Sequence, residues 1–155
     1  MIHVYQHINN GCLYDHLHAE NYDPIQWKRR LEICIGVAQA LHYLHTEAKY
    51  VLIHSNFSSK NILLDDLWTS KLCNFGFCKR GPLSISRGIV SVEVEPDVNY
   101  TFACLAPEVA MTCRVLNKCD VFSFGVVLLE VVCCRRVFDA ELKIYGSTTC
   151  ISLGT

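Results

Sequence analysis

His54-Ser-Asn-Phe-Ser-Ser-Lys-Asn61-Ile-Leu-Leu64 is the stretch from which the rest of this chain can be read. It opens on the end of a short apolar run, Val51 to His54, and closes on another, Ile62 to Leu64. Between them lies a polar loop broken only by Phe57. Ile62 to Leu64 and Ser70 to Cys73 read as the two arms of a small hairpin around Asp65-Asp66. Two further short stretches follow, Asn74-Phe-Gly76 and Ala106-Pro-Glu108.

Working outward, Ile2 to His7 reads as a short strand and Asn9-Asn-Gly11 as a turn. Cys12 to His18 suits a short helix, and Asn21-Tyr-Asp-Pro24 a loop. From Ile25 to His45 the pattern is helical. Leu31, Ile35, Ala38, Leu41 and His45 recur three and four apart, with Lys28, Arg29, Arg30 and Glu32 mostly on the other side. Residues 77–100 are punctuated by Gly, Pro and Ser without a period and predict a long loop. Asp120 to Cys134 is apolar on all sides, which predicts a buried helix. Residues 140–155 form an unpatterned tail.

Composition excludes several classes. With 155 residues, 51% of them apolar, one sizeable core is possible. A net charge of −1 and no basic run give no footprint for nucleic acid or anionic lipid. No signal peptide is visible at Met1-Ile-His-Val-Tyr5, and Val121 to Cys134 is too short to span a bilayer. The ten cysteines contain no C-x-x-C pair, so reduced, mostly buried thiols are expected rather than a zinc site or a disulfide framework. His42 and His45, three apart, read as structural residues, since no third ligand has a place nearby.

The motifs at 54–61, 74–76 and 106–108 stand in the order and spacing of H-R-D-x-x-x-x-N, D-F-G and A-P-E. The chain therefore resembles the large, C-terminal lobe of a protein kinase. Trp27-Lys-Arg-Arg-Leu-Glu-Ile-Cys-Ile-Gly36, Leu41-His-Tyr-Leu-His45 and Asp120-Val-Phe-Ser-Phe-Gly-Val-Val-Leu-Leu-Glu130 resemble plant receptor-like kinases, nearest the malectin-like receptor (FERONIA) group. The resemblance implies an α+β, protein-kinase-like fold: a mainly helical lobe with one small hairpin over residues 1–139, then the tail. It implies that the small lobe, with its glycine-rich loop and phosphate-pairing lysine, lies outside these residues.

The resemblance also assigns positions. Asn56 falls where the catalytic aspartate accepts the substrate proton, and an amide has no such capacity. Ser58 falls at a phosphate-steadying lysine, with Lys60 two positions late. Asn61 and Asn74 fall at the two metal-binding positions. Magnesium is usually held by carboxylates, so Asn61 is expected to bond the loop backbone instead. Ser55 replaces the arginine that reads a loop phosphate, and Ser84, Ser86 and Ser91 read as ordinary loop serines. Tyr5 matches the gatekeeper, while Gln6, Ile8 and Leu63 face the adenine side. His54 and Phe75 match two hydrophobic-spine positions, Asp120 the carboxylate bracing the catalytic loop, Glu108 and Arg135 an ion pair, and Thr101 the substrate-docking loop.

From these substitutions the sequence predicts a degraded site with no enzyme activity, no cofactor, and no measurable phosphotransfer until Asn56 and Asn74 both become Asp. ATP and Mg²⁺ enter only under the alternative, a divergent serine/threonine kinase completed by sequence beyond these 155 residues. The leading expectation is a scaffold or decoy whose partner is a related receptor-like kinase or its substrate. It would be cytoplasmic, or held at the cytoplasmic face of the plasma membrane through that partner. A gene remnant without selected function is the third reading.

Overall fold

The computed structural model describes residues 7–83, 89–93, 104 and 106–136. Four α-helices and three two-stranded antiparallel ladders make up the described part. In chain order they are α1 (Leu13–His18), α2 (Trp27–His42), β1 (Tyr50–Ile53), β2 (Ile62–Leu64), β3 (Ser70–Leu72), β4 (Lys79–Leu83), β5 (Ser91–Glu93), α3 (Pro107–Thr112), β6 (Arg114–Leu116) and α4 (Asn117–Cys133).

The hairpin β2–β3 forms with Ile62 opposite Leu72 and Leu64 opposite Ser70. Its turn is set locally: the Asp65 carboxylate accepts the N–H groups of Leu67 at 3.0 Å and Thr69 at 2.8 Å. The Thr69 bond, with Leu67 and Lys71 beside it, holds that carboxyl below the usual carboxylate range. Beyond the hairpin, Leu64 N–H donates to Gly11 C=O at 3.0 Å, which lays residues 10–12 alongside β2.

α2 differs from its sequence expectation in two ways. It ends at His42 and passes into a π-helical turn, Tyr43–Glu47. Its buried face is Ile33, Cys34, Val37 and Leu41, while Leu31, Ile35 and Ala38 are exposed. The helix carries apolar residues on two faces, and the partner decides which is used. Here β3 and α4 take the Val37 face, joining Leu13, Phe57, Ile62, Leu64, Val127 and Val131 in one core. Gly36 permits the close approach to β3. A Cβ there would come within 2.5 Å of Ser70 Oγ, which donates to Ile33 C=O at 3.2 Å.

The expected loop at 77–100 is corrected as well. β4 pairs with β1, Ile53 opposite Lys79, and β5 pairs with β6, Val92 opposite Val115. Both pairings are long-range, and Gly81-Pro82 breaks the alternation that would mark a strand. A second core gathers Val51, Ile53, Val90, Ala106, Val109, Val115 and Cys119 around them.

α4 starts at Asn117, with Leu116 N–H donating to Cys119 Sγ at 3.3 Å. It is not buried all round. Asp120, Ser123, Val127, Glu130 and Val131 are buried, whereas Val121, Phe122, Leu129 and Val132 are exposed. The buried positions fall three and four apart, which is one face of a helix. Among the described residues no helix is long and apolar enough to cross a membrane.

Candidate active site

The loop 54–61 is buried almost throughout and is held from beneath by α4. Asp120 Oδ2 accepts the His54 N–H at 2.8 Å, and Oδ1 accepts the Ser55 N–H at 2.9 Å. His45 Nε2 reaches Oδ2 from α2's side at 2.9 Å. A carboxylate 1% exposed would be strongly unfavourable alone, but these donors satisfy it. They also aim two peptide units of the loop. Ser55 takes φ 66°, a left-handed conformation that non-glycine residues adopt rarely.

His54 is fixed by its own bonds. Its Nε2–H donates to Cys73 C=O at 2.8 Å, leaving Nδ1 to accept the Asn56 N–H at 3.4 Å. Its ring meets Phe75 edge-on at 5.1 Å and Phe57 at 5.8 Å. Thus the 54–61 loop and the 74–77 segment are pinned to one another through a single imidazole.

Three asparagines close the site. Asn61 Nδ2 donates to Asn56 C=O at 2.7 Å, and Asn74 Nδ2 donates to Asn61 Oδ1 at 3.3 Å. Asn74 sits in the left-handed region, φ 64° and ψ 49°, which asparagine tolerates better than most residues. Ser58 is buried, and its hydroxyl has no hydrogen-bond partner among the described residues. Lys60 is exposed, with Nζ over the Tyr14 ring at 4.6 Å. It is engaged there rather than at the phosphate-steadying position.

Other expected positions scatter. Leu63 lies on β2 beside Cys12, and Ile8 is half-buried. Gln6, Tyr5, Thr101, Ser84 and Ser86 lie outside the described residues. Ser91 is on β5, where Arg114 Nε donates to its hydroxyl at 2.9 Å. Glu108 and Arg135 are both exposed, and no ion pair joins them among the described residues. That expected pair is corrected: Glu108 lies in the first turn of α3 and Arg135 just past α4, and each is left to solvent.

Sequence reasoning missed the pair His18–Glu130, 2.8 Å apart, and the His45 contact to Asp120. A lone acid inside an apolar helix was the available signal, because a buried carboxylate must find a donor.

A protein kinase brings Mg²⁺ to the position of Asn61 and Asn74. The side chains present do not fit it. Both are neutral amides whose facing atoms already bond one another. Magnesium sheds water reluctantly and is ordinarily held by at least one carboxylate. Among the described residues no group of three His, Cys, Asp or Glu side chains could hold a metal ion.

A helical lobe with its catalytic loop braced by an aspartate from a buried helix defines the class: a protein kinase large lobe. The family model for protein tyrosine and serine/threonine kinases matches residues 1–142, and the chain belongs to that family. The chain is similar to the receptor-like protein kinase THESEUS 1 of Arabidopsis thaliana, 46% identical over 142 residues, which covers 92% of this chain and 16% of that protein. Similarity to the receptor-like protein kinase ANXUR2 of the same plant is 42% over 140 residues, 90% of this chain and 16% of that protein. The chain thus spans about a sixth of the length of these relatives, 16% in each case.

These findings correct the expectation that the chain is no enzyme. The matching family is one of kinases, and the relatives are named protein kinases. Asparagine at positions 56 and 74, where the family motifs carry aspartate, does not remove the chain from that family.

Proposed function

We propose that this chain is the catalytic-lobe part of a receptor-like protein kinase, acting in receptor signalling by phosphoryl transfer from ATP to a serine or threonine hydroxyl. The observation that carries the reading is the brace: Asp120 holds the loop through His54 and Ser55 at 2.8 and 2.9 Å, so residue 56 is presented by an ordered backbone. Positioning supplies much of the catalysis in phosphoryl transfer. The Asn56 amide can orient a hydroxyl but cannot take its proton, which slows transfer by about 10²–10⁴-fold. The hydroxyl proton then leaves to water or to the transferred phosphoryl group.

Transfer of labelled phosphate to a serine/threonine peptide tests this, with the chain fused behind the small lobe of a relative such as THESEUS 1. Slow labelling is expected, rising at least about tenfold in Asn56→Asp. No labelling by the fusion, nor by its Asn56→Asp, Asn74→Asp form, would sink the proposal.

A second reading is favoured by the apolar stripe Trp27, Leu31 and Ile35, exposed by 53, 42 and 59% on α2. The chain would dock on a related receptor-like kinase as a scaffold or decoy, at the cytoplasmic face of the plasma membrane. Co-purification with that kinase domain, lost in Leu31→Glu, Ile35→Glu, is the expected result.

A further inference from the structure

We propose that the relay Asn56–Asn61–Asn74 takes the place of a divalent cation in the nucleotide-free site, tying the catalytic loop to the 74–76 segment with neutral amides, and that these side chains recruit neither Mg²⁺ nor Mn²⁺ themselves, so that a cation used in phosphoryl transfer would enter on the ATP phosphates.

The polarity of the relay is forced by its first member. The Asn56 backbone carbonyl can only accept, so Asn61 must turn Nδ2 toward it, and does at 2.7 Å. That leaves Asn61 Oδ1 facing residue 74. An oxygen there can be met only by a donor or a cation. Asn74 supplies the donor, its Nδ2 at 3.3 Å. Asn61 is 9% exposed, so this orientation is set by protein groups rather than by solvent.

A cation at the same place would need oxygen lone pairs converging on it and negative charge to offset its lost hydration. The relay offers neither. Flipping Asn74 would set its oxygen against Asn61 Oδ1, with no net charge gained. The buried Asp120 carboxylate of α4, which braces this loop, is already engaged with His45, His54 and Ser55.

An aspartate at 74 reverses the logic. Its carboxylate would face Asn61 Oδ1 as acceptor against acceptor, and a divalent cation would relieve that contact. Metal affinity should therefore appear on changing one atom, Nδ2 to oxygen.

Manganese EPR on the purified 155-residue chain tests this. In the unaltered chain the free Mn²⁺ signal should equal that of Asn74→Ala, an exposed position, with circular dichroism checking that the variant is folded. Asn74→Asp should bind Mn²⁺ at least about tenfold more tightly, with Mg²⁺ displacing it. A bound fraction in the unaltered chain that Asn74→Ala removes would overturn the proposal, as would a folded Asn74→Asp with no gain in affinity. Should Asn74→Asp fold only when Mn²⁺ or Mg²⁺ is added, that supports it. Should it not fold at all, the comparison of unaltered chain with Asn74→Ala decides alone. Metal binding and phosphate transfer are read separately, so either proposal can fail without the other.

Discussion

His18 on α1 and Glu130 on α4 meet at 2.8 Å across 112 residues of sequence, with side chains 4 and 3% exposed. The contact fastens the short first helix to the central one. Its donor and acceptor satisfy each other where water cannot. Removing either leaves a buried polar group without a partner.

His18→Leu should therefore destabilise the chain by about 3 kcal/mol, because Glu130 stays buried and unpaired. His18→Leu, Glu130→Leu together should recover much of that loss, since an apolar pair of similar volume often replaces a buried polar one without penalty. Urea midpoints of the three proteins check this. A double variant as unstable as the single one would refute the pairing account.

Asp120→Ala should be the most damaging single change in the loop region. It strips the acceptor from two backbone N–H groups and from His45 at once. A loss of about 3–5 kcal/mol is expected, with Asp120→Asn milder because one oxygen survives. Thermal unfolding followed by circular dichroism would rank the two.

Ser58→Ala should leave stability unchanged or raise it by about 1 kcal/mol. The buried hydroxyl has no partner among the described residues, and an unsatisfied buried hydroxyl is unfavourable by about 1–3 kcal/mol. Alanine keeps the Cβ and drops the orphan oxygen. A clear loss of stability in this variant would mean the hydroxyl is bonded in solution.

Alkaline pH should weaken the fold through its thiols. Burial, helped by Asp15, pushes the Cys12 thiol up to about 11, and burial with Glu130 nearby does the same for Cys104. The unfolded thiols ionise first, near pH 8.5. Between about pH 9 and 11 the folded state then binds more protons, so stability falls as pH rises through that window. Below it the effect vanishes. Cys12→Ser and Cys104→Ala should flatten the decline measured by urea unfolding at pH 8, 9.5 and 10.5.

Legibility tracked the range of the interactions. The hairpin β2–β3 could be read because Asp65 caps its own turn. β4 could not, because its partner β1 lies on the far side of that hairpin and Gly81-Pro82 hides its alternation. On α2 the apolar pattern was read on the wrong stripe: Leu31 and Ile35 have the right spacing, but Ile33 and Val37 meet β3 and α4. The bracing position of Asp120 was legible only through resemblance, since nothing local distinguishes it from any acid in a first helical turn. Likewise Asn61 could be matched to its motif position and Asn74 flagged as a replacement, yet their bond to one another needed coordinates.

The brace also bears on the order in which this chain can fold. His54 and Asp120 are 66 positions apart. During synthesis at about 5–20 residues per second, the catalytic loop emerges seconds before the carboxylate that organises it. Until then its peptide N–H groups face water, although the hairpin β2–β3, with its turn set locally by Asp65, has already been synthesised. The segment that names the family is thus organised only once residue 120 has been made, and a chain ending before Asp120 would lack the brace of its catalytic loop.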